Sequence, residues 1–331
     1  MISITINAAQ NGIVIVRFLQ TEYPNSNVTD IWKFIRKKDL RVNGKRVEPN
    51  YRLKTQDKIT FSKFVAAVLQ SPVRQGKNSE NGTRGNPGLA ASEYWEMLDS
   101  HARLIVDSVI YEDDEMMVLD KPYGLAVQGG TGIKISIDKI LKNICPSGKQ
   151  LKLVHRLDRY TTGVLIVAKN VRTAEELIKI FRERKNVTKE YLLLARGFMA
   201  RASGSIDYPL IKKYENNSEK VYVDRLGGQR ALTNYARLAY SPDYDVSFVR
   251  AEIITGRTHQ IRVHFREIGN PLLGDFKYGG IDAGKITGKL QLHSHRTTLN
   301  LFQKKHTFIA RIPKHMEKIL NRAFADWDKI I

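Results

Sequence analysis

The chain has 331 residues, 42% hydrophobic and 27% charged, with 54 Lys and Arg against 34 Asp and Glu and a formal net charge of +20. Its length holds two domains, or one large domain with an appendage, and its composition is that of a globular protein rather than a disordered one. So large a positive charge suits a polyanionic partner, nucleic acid before anionic membrane.

A membrane role is disfavoured on three counts. No apolar run approaches the roughly 18 residues that cross a bilayer. The basic residues are not gathered on one amphipathic helix. The start, Met1-Ile2-Ser3-Ile4-Thr5-Ile6, lacks the charged opening and long apolar run of a signal peptide. The single cysteine, Cys145, forms no internal disulfide and fits a reducing cytoplasm.

Residues 1–69 read as a small basic unit. A first helix is expected near Ile15 to Tyr23. Ile31, Phe34 and Ile35 then have helical spacing, with Lys33, Arg36, Lys37 and Lys38 alongside. In Leu40-Arg41-Val42-Asn43-Gly44-Lys45-Arg46-Val47, Asn-Gly between alternating apolar residues predicts a hairpin. Residues 30–63 hold 11 Lys or Arg against 4 Asp or Glu, which favours phosphate contact over a merely solvated surface. This unit resembles an S4 RNA-binding domain over about residues 12–65. The resemblance implies that Lys33, Arg36, Lys37, Arg41, Lys45 and Arg46 face structured RNA.

Residues 70–92 are rich in Gly, Asn, Ser and Pro without periodicity and read as a flexible linker. From residue 93 a short helix leads into a second domain running to 331, where strands predominate over helices. Strands are expected at Val109–Tyr111, Met117–Leu119, Val164–Ala168, Lys189–Ala195, Ala231–Ala239, Val246–Ile254, Leu290–Leu299 and Thr307–Ile312. Helices are expected at Ala174–Arg184, with Leu177, Ile178 and Phe181 inward, and at Lys314–Trp327. The glycines of Gln128-Gly129-Gly130-Thr131-Gly132 lack the Gly-Lys-Ser/Thr of a nucleotide loop.

The most informative stretch is residues 154–169, Val-His-Arg-Leu-Asp-Arg-Tyr-Thr-Thr-Gly-Val-Leu-Ile-Val-Ala-Lys. A polar turn precedes a buried strand, and its one acid, Asp158, stands between Arg156 and Arg159. A carboxylate flanked by fixed positive charge is held ionised, a poor proton donor and a candidate nucleophile. On this stretch alone, a turn cap or a structural ion pair accounts for it equally well.

A second polar cluster is Thr255-Gly256-Arg257-Thr258-His259-Gln260-Ile261-Arg262-Val263-His264. With Thr258 as N-cap, a helix here carries His259 and Arg262 on one face. Arg262 suits a bidentate contact to a carboxylate or phosphate, and Asp158 is the internal candidate. His259, His264, His293 and His295 have no Asp, Glu or Cys at ligand-like spacing, so no metal site is expected. The kinase motifs are incomplete, since Asp275-Phe276 is followed by Lys277. One carboxylate without a paired acid argues against an ordinary glycosidase, but it leaves glycosidic chemistry on a flipped nucleotide open. Tyr191 stacks on such a base, assists proton transfer, or is simply a buried strand aromatic.

Four blocks in order, Leu119-Asp120-Lys121-Pro122-Tyr123-Gly124, residues 154–169, Lys189-Glu190-Tyr191 and Thr255 to His264, resemble the pseudouridine synthases of the RluA superfamily over nearly the whole chain. Ile110 to Asp114 and Ala126 to Gly132 look most like the RluC type. The resemblance implies an α+β fold, a mixed and mainly antiparallel sheet flanked by helices, behind the S4-like domain. It implies that Asp158 attacks the target uridine and that Arg156 takes the space of the flipped base. Tyr191 packs on the base, and Arg262 pairs with the aspartate. It implies no cofactor, metal or energy source, and 23S ribosomal RNA as the partner. Arg257 is counted with the RNA-binding residues, and a cytoplasmic monomer is expected. Two positions depart from the pattern: Tyr160 stands where RluC-type proteins carry an acid, and Tyr123 where a smaller residue is common. An RluD-type or transfer-RNA synthase, or a non-catalytic ribosome-assembly protein, are the alternatives.

Overall fold

The structure, a computed structural model, describes the chain apart from residues 25, 27–30, 32–33, 36–38, 49, 63–64, 67–68, 70–100, 102–103, 106, 131, 145–150, 216–217 and 281–285. Lys33, Arg36, Lys37, Cys145, the linker expected over 70–92 and most of the helix expected from residue 93 lie outside the described residues. Two compact units result. One comprises 1–117, 128–152 and 168–171, and the other 118–127, 153–167 and 172–331.

In the first unit, β1 (Ile2–Thr5), β2 (Leu40–Val42) and β3 (Lys58–Phe61) form an antiparallel sheet in the order β1-β3-β2. Helix α1 (Ile15–Glu22) buries Ile15, Val16, Phe18 and Leu19, an i, i+3, i+4 stripe. Leu40, Val42, Ile59 and Phe61 are buried on the strands. The Asn43-Gly44 turn is present, with φ of 52° and 73° as a tight hairpin turn requires. Its expected return arm is reduced to a single bridge between Val42 and Lys45, and β2 pairs with β3 instead. Asn43 decides this. Its side chain donates to Asp57 Oδ1 and accepts from Lys58 N, both at 2.8 Å, tying the turn to the start of β3. The same unit holds β4 (Val109–Glu112), the start of β5 (Met116–Lys121), α2 (Ile137–Ile144) and Lys169, whose ammonium pairs with Glu112 at 2.8 Å.

The second unit is built on one sheet. After β6 (Lys152–Leu153) come β7 (Thr162–Ala168), α3 (Val171–Glu183), β8 (Val187–Arg196), β9 (Ser203–Asp207), β10 (Leu210–Glu215), β11 (Ser218–Val223), β12 (Leu232–Ser241) and β13 (Val246–Ile253). Helix α4 (Gln260–Glu267), β14 (Leu292–Leu301), β15 (Lys304–Ile309) and α5 (Lys314–Ala323) complete it. The strand order is β5-β7-β14-β8-β13-β12-β9, with β15 on β14 and β6 on β7. The β8–β13, β8–β14, β12–β13, β9–β12 and β14–β15 pairs are antiparallel, and β7–β14 is parallel, so the sheet is mixed and mainly antiparallel.

All seven residues of β7 are buried, which explains its unbroken apolar run. Met316, Ile319, Leu320 and Phe324 from the α5 segment pack with Leu192, Leu194, Val246 and Phe248 of β8 and β13. Two expectations need correction. On α3, Ile180 is buried while Ile178 is 45% exposed, because the inward stripe runs Ala174, Leu177, Ile180. The last helix stops at Ala323 rather than Trp327, where Asp326 takes a left-handed φ of 54° before a 3-10 turn.

Gly163 sets the spacing at the sheet centre. Its φ is +109°, and a Cβ there would lie 2.1 Å from the Ser294 carbonyl oxygen. Only glycine lets β7 approach β14 so closely. Ser294 therefore stands between Gly163 on β7 and Tyr191 on β8.

Candidate active site

Asp158 lies in the loop that feeds β7. Val154 and Leu157 are buried and anchor the loop, while Arg156, Arg159 and Tyr160 face out. The His155 ring turns inward, accepts the Ile166 N–H at 2.9 Å and packs on Phe181 with centroids 4.4 Å apart. Thr161 N donates to Asp158 O at 3.1 Å, closing a tight turn. Lys121 clasps that turn from beneath. It is fully buried, and its ammonium donates to the carbonyls of Pro122, Leu125 and Arg159 at 2.9, 2.8 and 3.1 Å. Burial pulls its pKa down to about 7, against the opposing attraction of Asp158.

The cation that meets Asp158 is not one of its sequence neighbours. Arg159 Nε donates to Gly124 O at 2.9 Å, and Arg156 is exposed. Arg262 instead brings Nη1 to 3.3 Å from Asp158 Oδ2. The rest of its fork is held by Asp275, with Nε to Oδ2 and Nη2 to Oδ1 both at 2.8 Å. Asp275 is 1% exposed and also accepts from the N–H groups of Lys277 and Tyr278 at 3.1 and 3.2 Å. Burial alone would weaken the guanidinium's hold on its proton. The carboxylates of Asp275 and Asp158 more than reverse that, raising its pKa.

Helix α4 begins one residue later than expected. His259, not Thr258, is the N-cap residue, with a left-handed φ of 54° and no side-chain cap bond. A tertiary contact accounts for the strained position, since His259 Nδ1 lies 2.7 Å from the Tyr278 hydroxyl. Its Nε2 is 3.8 Å from Asp158 Oδ2. Burial lowers the imidazole pKa to about 4, with Asp158 working against the fall, so His259 is neutral at pH 7 and makes no ion pair there. Gln260 secures the helix start, accepting from Arg257 N at 3.0 Å and donating to Leu232 O at 3.0 Å.

Tyr191 on β8 is 5% exposed. Burial raises its pKa, Ser294 opposes the rise through a hydrogen bond, and the nearby Asp158 adds to it. The hydroxyl therefore keeps its proton at neutral pH. Asp158, Arg262 and Tyr191 thus lie in one electrostatic neighbourhood, with Asp275, His259, Tyr278 and Lys121 around them. Of these four, the chain pattern marked His259, on one face with Arg262, and gave little sign of the others. Asp275 was met only in an incomplete kinase motif, Tyr278 lies in the same loop after α4, and Lys121 stood out only within a motif.

Of the residues expected at RNA, Arg156, Arg257, Arg41, Lys45 and Arg46 are exposed. Arg257 also donates from Nε to Arg230 O at 3.1 Å, and Arg41 from Nη1 to Gly44 O at 3.3 Å. Besides His259, the histidines weighed as ligands are bonded as follows: His264 meets Thr233 Oγ1 and Tyr208 O, His293 meets Thr162 Oγ1 and Ala310 O, and His295 meets the same Ala310 O. Among the described residues, no three His, Cys, Asp or Glu side chains form a metal-holding group.

Buried neutral imidazoles make stability depend on pH. The pKa of His259 falls to about 4 and that of His293 to about 3, in each case chiefly through burial. Below about pH 6.5 the unfolded chain takes up protons that the folded chain refuses, so stability falls with pH. Each of the two is expected to cost about 2 kcal/mol between pH 7 and pH 5. Urea unfolding at the two pH values checks this; an undiminished unfolding free energy at pH 5 contradicts it.

A family model for RNA pseudouridylate synthase matches residues 115–267. The ribosomal large subunit pseudouridine synthase C of Salmonella typhi is 32% identical over 96% of this chain and 94% of its own length. Its namesake in Rickettsia conorii is 31% identical over 92% and 95%. Among solved structures, human RNA pseudouridylate synthase domain containing 4 superposes with a TM-score of 0.59 at 24% identity, over 69% of this chain and 97% of that one. The second unit's mixed, mainly antiparallel sheet is thus a fold with experimental precedent. Among the described residues, no helix is long and apolar enough to cross a membrane.

Proposed function

The chain belongs to the RNA pseudouridylate synthases, and from that premise we propose that it isomerises specific uridines of 23S ribosomal RNA to pseudouridine. One observation carries the choice of RNA. The likeness to the large-subunit enzymes spans 96% of this chain and 94% of theirs, so it includes the basic N-terminal unit outside the family match at 115–267. A ribosome-assembly protein without activity gives no reason for Asp158, Arg262 and Tyr191 to converge.

In this reading the target uridine leaves its stack and enters the site beside Asp158. The Asp158 carboxylate is the nucleophile, and Arg262 holds its orientation while remaining neutralised by Asp275. As the Asp158 carboxylate bonds to C1′ the N1–C1′ bond breaks, the base turns, and C5 bonds to C1′ as the bond to Asp158 breaks and frees the carboxylate. C5 gives up its proton and N1 gains one, so atoms and electrons balance within one nucleotide. Tyr191, protonated and buried, packs on the base and serves proton transfer at the sugar. Arg156 fills the gap in the stack, and Arg257 with the exposed Arg41, Lys45 and Arg46 meets phosphates. Residues 1–69 act as an S4-like RNA-binding domain joined through 70–92 to a catalytic domain over 93–331, and the protein works as a cytoplasmic monomer.

The test is to map pseudouridines in large-subunit ribosomal RNA with and without the gene, then restore them with purified protein and unmodified 23S transcript. Loss of defined sites and their restoration is the expected result. An unchanged map, or conversion confined to transfer RNA, overturns the choice of substrate.

A further inference from the structure

The turn that carries Asp158 also carries an aromatic side chain with no part in the chemistry above. Tyr160 is 42% exposed and sits at the corner closed by Thr161 N and Asp158 O. Its Cα can lie no more than about 7 Å from that of Asp158. The ring leans on Tyr123, with centroids 5.4 Å apart at 38°. Tyr123 is itself braced: its hydroxyl accepts from Leu290 N at 3.3 Å, and His315 lies edge-on at 5.1 Å. Two exposed cations lie over the pair, the Arg159 guanidinium 5.4 Å from the centroid of the Tyr160 ring and the Lys289 ammonium 5.3 Å from that of the Tyr123 ring.

A part-exposed ring on a braced support, with exposed cations against it, is how proteins hold unpaired nucleotides. The π-face takes a base, and the charges take the phosphates beside it. We propose that Tyr160, braced by Tyr123, is a stacking platform for the base adjacent to the target uridine, with Arg159 and Lys289 facing its phosphates. The inference rests on the uridine-isomerising reading above. Extruding the uridine strips its neighbour of one stacking partner, and a ring within reach of Asp158 replaces it. Such a platform supplies binding that is equal before and during reaction, so its signature lies in KM.

The test compares the full-length wild type with Tyr160→Ser and Tyr160→Phe on 23S fragments containing a converted uridine. Each fragment has either an intact neighbouring nucleotide or an abasic one. Tyr160→Ser is expected to raise KM about tenfold with kcat held, and Tyr160→Phe, which keeps the ring, to recover the affinity. The abasic neighbour is expected to raise the wild-type KM by a similar factor and to leave that of Tyr160→Ser unmoved. A loss in kcat that ignores the neighbouring base means that Tyr160 only shapes the Asp158 turn, and overturns the platform; so does an unchanged KM. If the wild type converts no uridine in 23S RNA, the underlying reading fails before any variant is compared, and the platform fails with it.

Discussion

Asp158→Asn is expected to end pseudouridine formation, lowering the rate at least about 10⁴-fold as loss of a nucleophile does, while the protein stays folded. The amide keeps the shape of the carboxylate and can still accept from Arg262 Nη1, but it cannot attack carbon. Three features keep the fold out of the result. The side chain is 19% exposed, so its charge is not a buried one. Lys121 grips the turn through the Arg159 carbonyl, which the substitution leaves in place. Arg262 retains its bidentate partner in Asp275. Release of tritium from 5-tritiated uridine in ribosomal RNA reads the chemistry directly. Release at the normal rate would remove Asp158 from the mechanism.

Arg262→Ala is expected to cost both stability and turnover. It strands Asp275 as an unpaired charge that is 1% exposed, and breaking a buried pair on one side costs about 3–5 kcal/mol. It also takes away the cation at Asp158, which is expected to cost at least about 10²-fold in rate, as loss of a preorganised electrostatic partner does. The two losses separate in Arg262→Met with Asp275→Asn. That pair removes both charges, keeps similar volumes and leaves an oxygen for the Lys277 and Tyr278 N–H groups. Urea unfolding is expected to show much of the stability regained, while tritium release stays low. An Arg262→Ala protein as stable as wild type would mean that the buried pair contributes little, and recovered activity in the double variant would deny Arg262 its role at Asp158.

The sequence and the structure agree where a residue's surroundings are local or wholly apolar. Val164–Ala168 was legible because a strand buried on both faces has no polar position to hide it. The polar turn ahead of it was legible because one acid stood among arginines. The arginine that meets that acid was legible too, since Arg262 was the cation matched to Asp158 although it lies 104 positions away along the chain, but the anchor of that arginine, Asp275, was not, because it sits in a loop without periodic pattern. The left-handed His259 follows from a tertiary bond to Tyr278 rather than from any local preference, so a helix start at Thr258 was the natural expectation. Strands β10 and β11 escaped because the outer part of β10 is exposed, leaving little hydrophobic contrast to read.

The close approach of Gly163 to Ser294 has a consequence for how the molecule comes into being. Ribosomes deliver the chain from its N-terminus, and domains generally fold as units in that order. Asp158 and β7 emerge early, yet the parallel partner of β7 is β14, and the carboxylate's cation and that cation's anchor lie at 262 and 275. Pairings this distant in sequence close slowly, because the loop between them must be ordered first. Asp158 is therefore made long before the residues that surround it, and a chain stopped short of residue 294 carries Asp158 on a loop whose strand, β7, lacks its parallel partner.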